Sequence, residues 1–325
     1  MDRKTHKEKD CISCGRCKQN CEFLTKYNID FSNIDALNQL AYHCMLCGKC
    51  TEVCPLGIDG RERILNIRNR QVEEQNGKLK GYQFLRFEKN NYKYKNYKKA
   101  NKKSVLFMGC NYPSLFPKTA KKLIDLLAEY DIGVVSDCCG KPIAELGLAK
   151  ETHSIMTNLN YNFQKYDMEE IIVVCPNCYY FLKNKIKIPI ITIYEKLQQL
   201  GIINISDFIT NDSQIYIPCP DRQERIFLHD IEQITKTTIS EVKGIQCCGL
   251  GGVAAAKEPQ FTKLLADKLN KTNKTTYVYC ASCAGSFHRN SVCNVTHILN
   301  VMIGSDEQPD IKHSALNRMK LKISI

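Results

Sequence analysis

"DIGVVSDCCGKP", residues 131–142, places a cysteine pair closed by glycine directly behind an apolar run. The same order returns at residues 242–252 in "VKGIQCCGLGG". Each pair follows, by 28 residues, a lone cysteine that ends another apolar run: Cys110 in "SVLFMGC" and Cys219 in "QIYIPC". Each pair is in turn followed by a C-x2-C, namely Cys175 and Cys178 in "IIVVCPNC" and Cys280 and Cys283 in "TTYVYCASC". That second gap is 36 residues in one half and 32 in the other. An internal duplication is the simplest account.

The runs between the cysteines set the fold. Short apolar runs such as "VLFM" and "IIVV" alternate with amphipathic stretches such as "PKTAKKLIDLLAEY", where Phe116, Ala120, Leu123, Leu127 and Tyr130 share one helical face. That alternation predicts β-α-β units and mostly parallel sheets. Each cysteine group then lies beyond the carboxyl end of a strand, where open α/β sheets bind ligands, so thiols distant in sequence converge. Each half supplies five cysteines: Cys110, Cys138, Cys139, Cys175 and Cys178, then Cys219, Cys247, Cys248, Cys280 and Cys283. A cubane cluster needs four thiolates. Adjacent cysteines in a glycine-closed turn project in different directions, which suits a bridging or non-cubane arrangement.

Upstream, Cys11, Cys14, Cys17 and Cys21 follow the spacing C-x2-C-x2-C-x3-C, and Cys44, Cys47, Cys50 and Cys54 repeat it with Pro55 directly after. This is the spacing of bacterial two-cluster ferredoxins, in which the fourth cysteine of each run ligates the other run's cluster. By that rule Cys11, Cys14, Cys17 and Cys54 hold one [4Fe–4S] cubane, and Cys44, Cys47, Cys50 and Cys21 hold the second. Structural zinc uses paired C-x2-C or cysteine with histidine, and fits a doubled run of four poorly. "DFSNIDALNQLAYHC" carries Ile34, Leu37, Leu40 and Ala41 at helical spacing, with Ser32 as N-cap, and "DGRERILNIRNRQVEEQNG" predicts a helix ending near Gly77. The result is a helical ferredoxin. His43, beside Cys44, is read as a surface or packing residue more readily than as a cluster-tuning one.

Composition places the chain among soluble proteins: 325 residues, 43% hydrophobic and 25% charged, enough for two or three domains. Nineteen cysteines behind a charged N-terminus without an apolar leader predict a cytoplasmic chain whose thiols hold metal. No stretch approaches the length of a membrane span. The net charge of +12 is concentrated in "KYKNYKKANKK", residues 93–103, where tyrosines alternate with lysines. Such a segment can meet an anionic membrane face at the periphery, but a solvated linker is the plainer reading, and nucleic acid is disfavoured.

The two C…CCG…CxxC blocks resemble the CCG, or cysteine-rich, domains of the heterodisulfide reductase B subunit, and the ferredoxin part resembles its C subunit. The fused order is similar to the D subunit of the membrane-linked reductase. It is also similar to the iron–sulfur subunits of anaerobic glycerol-3-phosphate dehydrogenase and of lactate or glycolate oxidases. The resemblance spans nearly the whole chain. It implies two non-cubane [4Fe–4S] clusters, one per quintet, which split a disulfide in two one-electron steps. The spacing before each cysteine pair is somewhat shorter than is usual in these proteins, leaving less room for loops that shape a pocket. In some relatives one CCG site carries zinc instead.

The expected architecture is therefore α+β and multidomain: a helical two-cluster ferredoxin (residues 1–87), a Lys/Tyr-rich linker (88–103), and two α/β CCG domains (104–210 and 211–325). The expected activity is electron transfer through the cubanes to CCG clusters that reduce or form a disulfide. The alternative is a non-catalytic subunit connecting a flavin dehydrogenase to quinone or another acceptor. No nucleotide fingerprint is complete, since "GLGG", residues 249–252, stands alone and suits close backbone approach to a cluster. Electrons then come from a flavin- or haem-containing partner subunit or a ferredoxin-like carrier, and the substrate is a disulfide or thiol. His297 is a candidate proton donor to a departing thiolate, with a packed histidine as its rival reading. Cys293, outside both quintets, is expected to be a small buried hydrophobe.

Overall fold

The structure is a computed structural model that describes residues 11–202 and 208–324. The charged stretch 1–10, from which the absence of a leader is read, lies outside the described residues. Two parallel sheets organise the rest. Strands β1 (Ser104–Phe107), β2 (Gly133–Val135), β3 (Glu170–Val173) and β4 (Ile190–Thr192) run in the order β2-β1-β3-β4. Strands β5 (Ser213–Tyr216), β6 (Thr275–Val278) and β7 (Val295–His297) run in the order β5-β6-β7. Leu106 stands in register with Val134 on one side and Ile172 on the other, and Ile215 with Tyr277. Strands covered on both faces read as unbroken apolar runs, which is why they were legible.

The duplication is geometric as well as sequential. Cys110 lies three residues beyond β1 and Cys219 three beyond β5, while Cys175 and Cys280 lie two beyond β3 and β6. Among its described residues the second half has no counterpart of β2, and an isolated bridge from Ile215 to Glu241 stands in its place. Where β2 has Val134 and Val135, the second half has Lys243 and Gly244, the latter at φ +78°. A charged residue followed by a left-handed glycine does not extend a buried strand.

One apolar core joins both sheets, with Leu106, Ile172, Ile215 and Tyr277 among its members. A second fills the other side of the first sheet. The third unites ferredoxin residues Phe23, Leu24 and Leu37 with Phe261 and Leu265 of the second α/β domain, so the ferredoxin is docked through a continuous core. The amphipathic stretch forms the helix Pro117–Ala128, burying Ala120, Leu123 and Leu127. Tyr130 falls beyond its end and is exposed. The helix Ile34–Leu40 starts after Asn33, so Ser32 is not its cap. The helix Gly60–Glu74 is capped by Asp59, whose carboxylate accepts from the Arg61 and Glu62 amides, and Gly77 N–H closes it on Val72 O.

Two boundaries differ from expectation. The segment 88–103 is not a solvated tether: Glu88, Lys89, Tyr92, Asn96, Tyr97 and Ala100 are buried. Tyr97 donates to Asp137 Oδ2 at 2.6 Å and stacks on Tyr166, because alternating tyrosines give the segment an apolar face for the first sheet. The C-terminal helix Ser314–Ser324 leaves the second domain and packs on the helix Tyr112–Leu115 of the first. Arg318 secures it with bonds to Ser114 Oγ at 3.0 Å and Glu88 Oε1 at 3.2 Å.

Candidate functional site

The two ferredoxin runs fold alike. Ser13 and Leu46 both take φ +52°, and Gly15 and Gly48 take φ +72° and +75°. Each glycine precedes one helical turn, Arg16–Gln19 or Lys49–Glu52. Left-handed residues alternating with right-handed ones turn successive amides to one side, a concavity suited to an anionic sulfur cluster. Cys11, Cys14, Cys17 and Cys54 line one small pocket of about 20 Å³, with Phe31 and Cys50 behind it. Cys21, Cys44, Cys47 and Cys50 gather separately: burial first, then the charges of Cys44, Cys47 and Cys21, push the Cys50 thiol well above its ordinary value. The Leu46 amide donates to Cys44 Sγ at 3.3 Å, and the Ile58 amide to Cys54 Sγ at 3.4 Å. Both expected quartets are thus brought together.

The two quintets meet across one cavity. A space of about 350 Å³ is lined by Cys110, Cys139, Cys175 and Cys178 from the first domain and by Cys219, Cys247, Cys248, Cys280 and Cys283 from the second. Cys138 sits behind this wall. In the first domain the thiols form a continuous chain of contacts: Cys110 with Cys138, Cys138 with Cys139, Cys139 with Cys178, Cys178 with Cys175. Adjacent cysteines therefore do face different partners. Cys175 also contacts Cys280, so the first cysteines of the two C-x2-C turns touch across the domain seam. Asn177 Nδ2 reaches Cys280 Sγ at 3.5 Å, and Asn111 Nδ2 donates to Ser282 Oγ at 2.6 Å.

Electrostatics follow from packing sulfur on sulfur. Cys139, accepting from Cys138 and Cys178, is held below its ordinary value. Cys138 accepts from Cys110, yet donation to Cys139 and burial push it up to about 12. Lys141, on the cavity wall, pairs with Glu145. Burial opposes its charge, but Glu145, Cys139 and Cys219 outweigh that and keep its pKa above the ordinary lysine range. A cation there offsets the negative charge of clustered thiolates. Gly109, at φ +69°, leaves the space beside Cys178 open, since a Cβ would stand 2.8 Å from its Sγ. Donor set, backbone concavities and spared space all fit iron–sulfur clusters.

Some sequence candidates lie elsewhere. His297 does not reach the cavity: it is 1% exposed, packed against Tyr112 and Phe116, with neither ring nitrogen bonded. Burial pulls its pKa down to about 3, so it is a neutral packed residue and the proton-donor expectation is withdrawn. Cys293 is exposed, contrary to expectation, because it falls in the turn before β7. His43 Nδ1 meets Glu258 Oε1 at 2.6 Å, and that fully buried carboxylate also accepts from Lys26 and Tyr27, each at 2.7 Å. Gly251 and Gly252 press on the carbonyls of Met45 and Cys44, giving "GLGG" a role in docking the ferredoxin.

Two residues escaped sequence reading. Arg68 is fully buried and donates to the carbonyls of Ala41, Cys44, Glu145 and Gly252, fastening the ferredoxin to both α/β domains. Gln246 stands between the Cys21/Cys47 group and Cys247. The unbroken cysteine grammar masked the latter, and nothing in an arginine on an amphipathic helix announces the former.

Comparison with known proteins agrees with this geometry. Residues 104–183 and 214–288 match the cysteine-rich (CCG) domain, and residues 10–58 match the 4Fe-4S dicluster domain. The chain is 25% identical over 269 residues to an uncharacterized iron–sulfur protein of Methanococcus maripaludis, covering 72% of this chain and 53% of that one. A second such protein, of Methanocaldococcus jannaschii, is 25% identical over 279 residues, covering 74% and 54%. The B subunit of a fumarate reductase (CoM/CoB) of Methanothermobacter marburgensis is 23% identical over 320 residues, covering 81% and 63%. The chain spans about half to two thirds of the length of these relatives. No helix among the described residues is long and apolar enough to cross a membrane. By these matches the chain joins one 4Fe-4S dicluster domain to two cysteine-rich (CCG) domains, with the cysteines of each brought together in the fold.

Proposed function

We propose that this chain passes electrons between two cubane clusters and two CCG-domain clusters, and that a disulfide is reduced or formed in the cavity the CCG domains share. Cys11, Cys14, Cys17 and Cys54 would hold one cubane and Cys21, Cys44, Cys47 and Cys50 the other. Cys110, Cys138, Cys139, Cys175 and Cys178 would hold one non-cubane cluster, and Cys219, Cys247, Cys248, Cys280 and Cys283 the second. When bound, such clusters supply single electrons and iron sites with affinity for thiolate sulfur.

The observation that carries this reading is the placement of nine of the ten CCG cysteines around one space of about 350 Å³. A disulfide has two sulfurs to accommodate, and each CCG domain lends this cavity a cysteine-lined wall. Reduction consumes two electrons and two protons and yields two thiols; the reverse releases them. The wall residues Leu65, Leu85, Phe181 and Val253 hold the substrate's apolar part and limit water, while Lys141 carries positive charge beside the thiolates. The relative named as a fumarate reductase (CoM/CoB) subunit supports membership in an oxidoreductase assembly, with a flavin- or haem-containing subunit or a ferredoxin-like carrier as partner.

The test is anaerobic purification with counts of iron and acid-labile sulfide, followed by turnover of a disulfide with an artificial one-electron donor. About sixteen irons per chain with disulfide turnover is the expected result. About eight irons and no turnover would overturn it and leave the chain a conduit between a flavin dehydrogenase and its acceptor.

A further inference from the structure

Gln246 immediately precedes the second cysteine pair, and it is only 8% exposed on the seam between the ferredoxin and the second CCG domain. Its side-chain nitrogen lies 3.8 Å from Cys47 Sγ, 3.9 Å from Cys21 Sγ and 4.0 Å from Cys247 Sγ. The first two sulfurs belong to a ferredoxin quartet and the third to a CCG quintet. Cys47 also contacts Cys219 and Cys247 directly. One amide group therefore touches two ligand sets.

Its orientation is fixed by a bond of its own. The Glu22 backbone N–H donates to Gln246 Oε1 at 2.6 Å, so the oxygen faces the peptide and the NH2 group is turned to the sulfurs. Arg222 donates to the Gln246 carbonyl and holds the main chain in place. The duplicated position in the first half is Asp137, one residue before Cys138. Its carboxylate accepts from Tyr97 OH at 2.6 Å and from the Cys138 amide at 2.7 Å, and offers no such amide to a ferredoxin sulfur. The two halves therefore differ at the residue before the cysteine pair: the second presents a side-chain amide to ferredoxin sulfurs and the first a carboxylate bonded within its own domain.

We propose that Gln246 is a positioning residue that donates N–H to the ligand sulfurs of the Cys21–Cys44–Cys47–Cys50 site, raises the reduction potential of the cluster held there, and ties that cluster to the second CCG domain rather than the first. N–H groups directed at ligand sulfur stabilise the reduced, more negative state of a cluster, one of the levers by which a protein sets its potential. The inference rests on the reading of these cysteines as cluster ligands, and it requires no particular disulfide substrate.

The experiment is a redox titration of the full-length, anaerobically reconstituted chain, followed by electron paramagnetic resonance, for the unaltered protein and for Gln246→Leu, Gln246→Glu and Asp137→Asn. Gln246→Leu removes the donor, and one cubane signal is expected to titrate at a lower potential while the other stays in place. Gln246→Glu keeps the shape and the oxygen that accepts from Glu22, so it decides the matter where the leucine variant loads iron poorly. It is expected to lower the same signal further, because a carboxylate beside the sulfurs opposes reduction. Asp137→Asn is expected to leave both cubane potentials unchanged. Both signals at their original potentials in Gln246→Glu, or an equal shift of both, would overturn the proposal. Failure of Cys21→Ser to remove one cubane signal would instead refute the ligand assignment beneath it.

Discussion

Replacing Arg68 by methionine should loosen all three domains at once. The guanidinium is fully buried and gives Ala41 O bonds of 2.8 and 3.2 Å, Cys44 O one of 2.9 Å, Gly252 O one of 2.8 Å and Glu145 O one of 2.5 Å. It also lies 4.7 Å over the Tyr42 ring. Methionine fills comparable volume but donates nothing, so four carbonyls lose their partner at roughly 1–3 kcal/mol each. Burying an arginine costs several kcal/mol that the variant avoids, and neighbouring water can satisfy part of the loss. The balance is a destabilisation of about 3–5 kcal/mol, the size expected for breaking a buried polar network. At roughly 2–4 °C per kcal/mol for a large domain, the melting temperature should fall by about 6–20 °C. Differential scanning fluorimetry under nitrogen measures it, and limited proteolysis should show cleavage between the ferredoxin and the CCG domains. A variant melting within about 2 °C of the unaltered protein, with an unchanged digestion pattern, would refute the assignment of Arg68 as the fastener.

Two further predictions concern single side chains. His297 must stay neutral when folded, with its pKa drawn from 6.5 to about 3 by burial. The unfolded chain thus binds the extra proton, and the His297 contribution costs stability only as pH falls through 6.5 toward 3, about 2 kcal/mol by pH 5. His297→Leu should flatten that part of the stability profile, and parallel profiles for the two proteins would disprove it. Cys14 is exposed on the rim of the small ferredoxin pocket. Cys14→Ser should remove about four irons per chain and one cubane signal, leaving the other intact; loss of every signal, or of none, would break the quartet assignment.

What the sequence disclosed and what it hid divide along physical lines. Cysteine spacing and apolar runs are local, so the positions of Cys110 and Cys219 beyond their strands followed from reading ten or twenty residues at a time, whereas the αL conformations of Gly15 and Gly48 were not read. The parallel sheets were legible because strands buried on both faces leave runs such as "IIVV". Contacts across long separations left no such trace. Arg68 bonds to Gly252 across 184 residues, and Gln246 reaches Cys21 across 225. The lysine-rich segment misled because its charges are periodic around buried tyrosines, and composition does not separate one face from the other. The return of the C-terminal helix to the first domain likewise depends on Arg318 finding Ser114 and Glu88, partners that no local pattern announces.

The shared cavity makes a prediction that separates cooperation from duplication. If each CCG domain worked as a self-sufficient site, disabling one would leave about half the turnover. In the structure, however, Cys175 touches Cys280 and Asn177 reaches Cys280 Sγ, so both walls bound the same volume. In the proposed reaction, cleaving one disulfide demands two electrons and leaves two sulfurs to be held, one per wall. Cys139 and Cys248 occupy equivalent positions in the two cysteine pairs, and both line the cavity. Cys139→Ser and Cys248→Ser should therefore each reduce donor-driven disulfide turnover to near background, with both cubane signals retained as proof that the ferredoxin is intact. Turnover near half in either variant would mean that the walls act independently, and the juxtaposition of Cys175 with Cys280 would then serve packing and not chemistry.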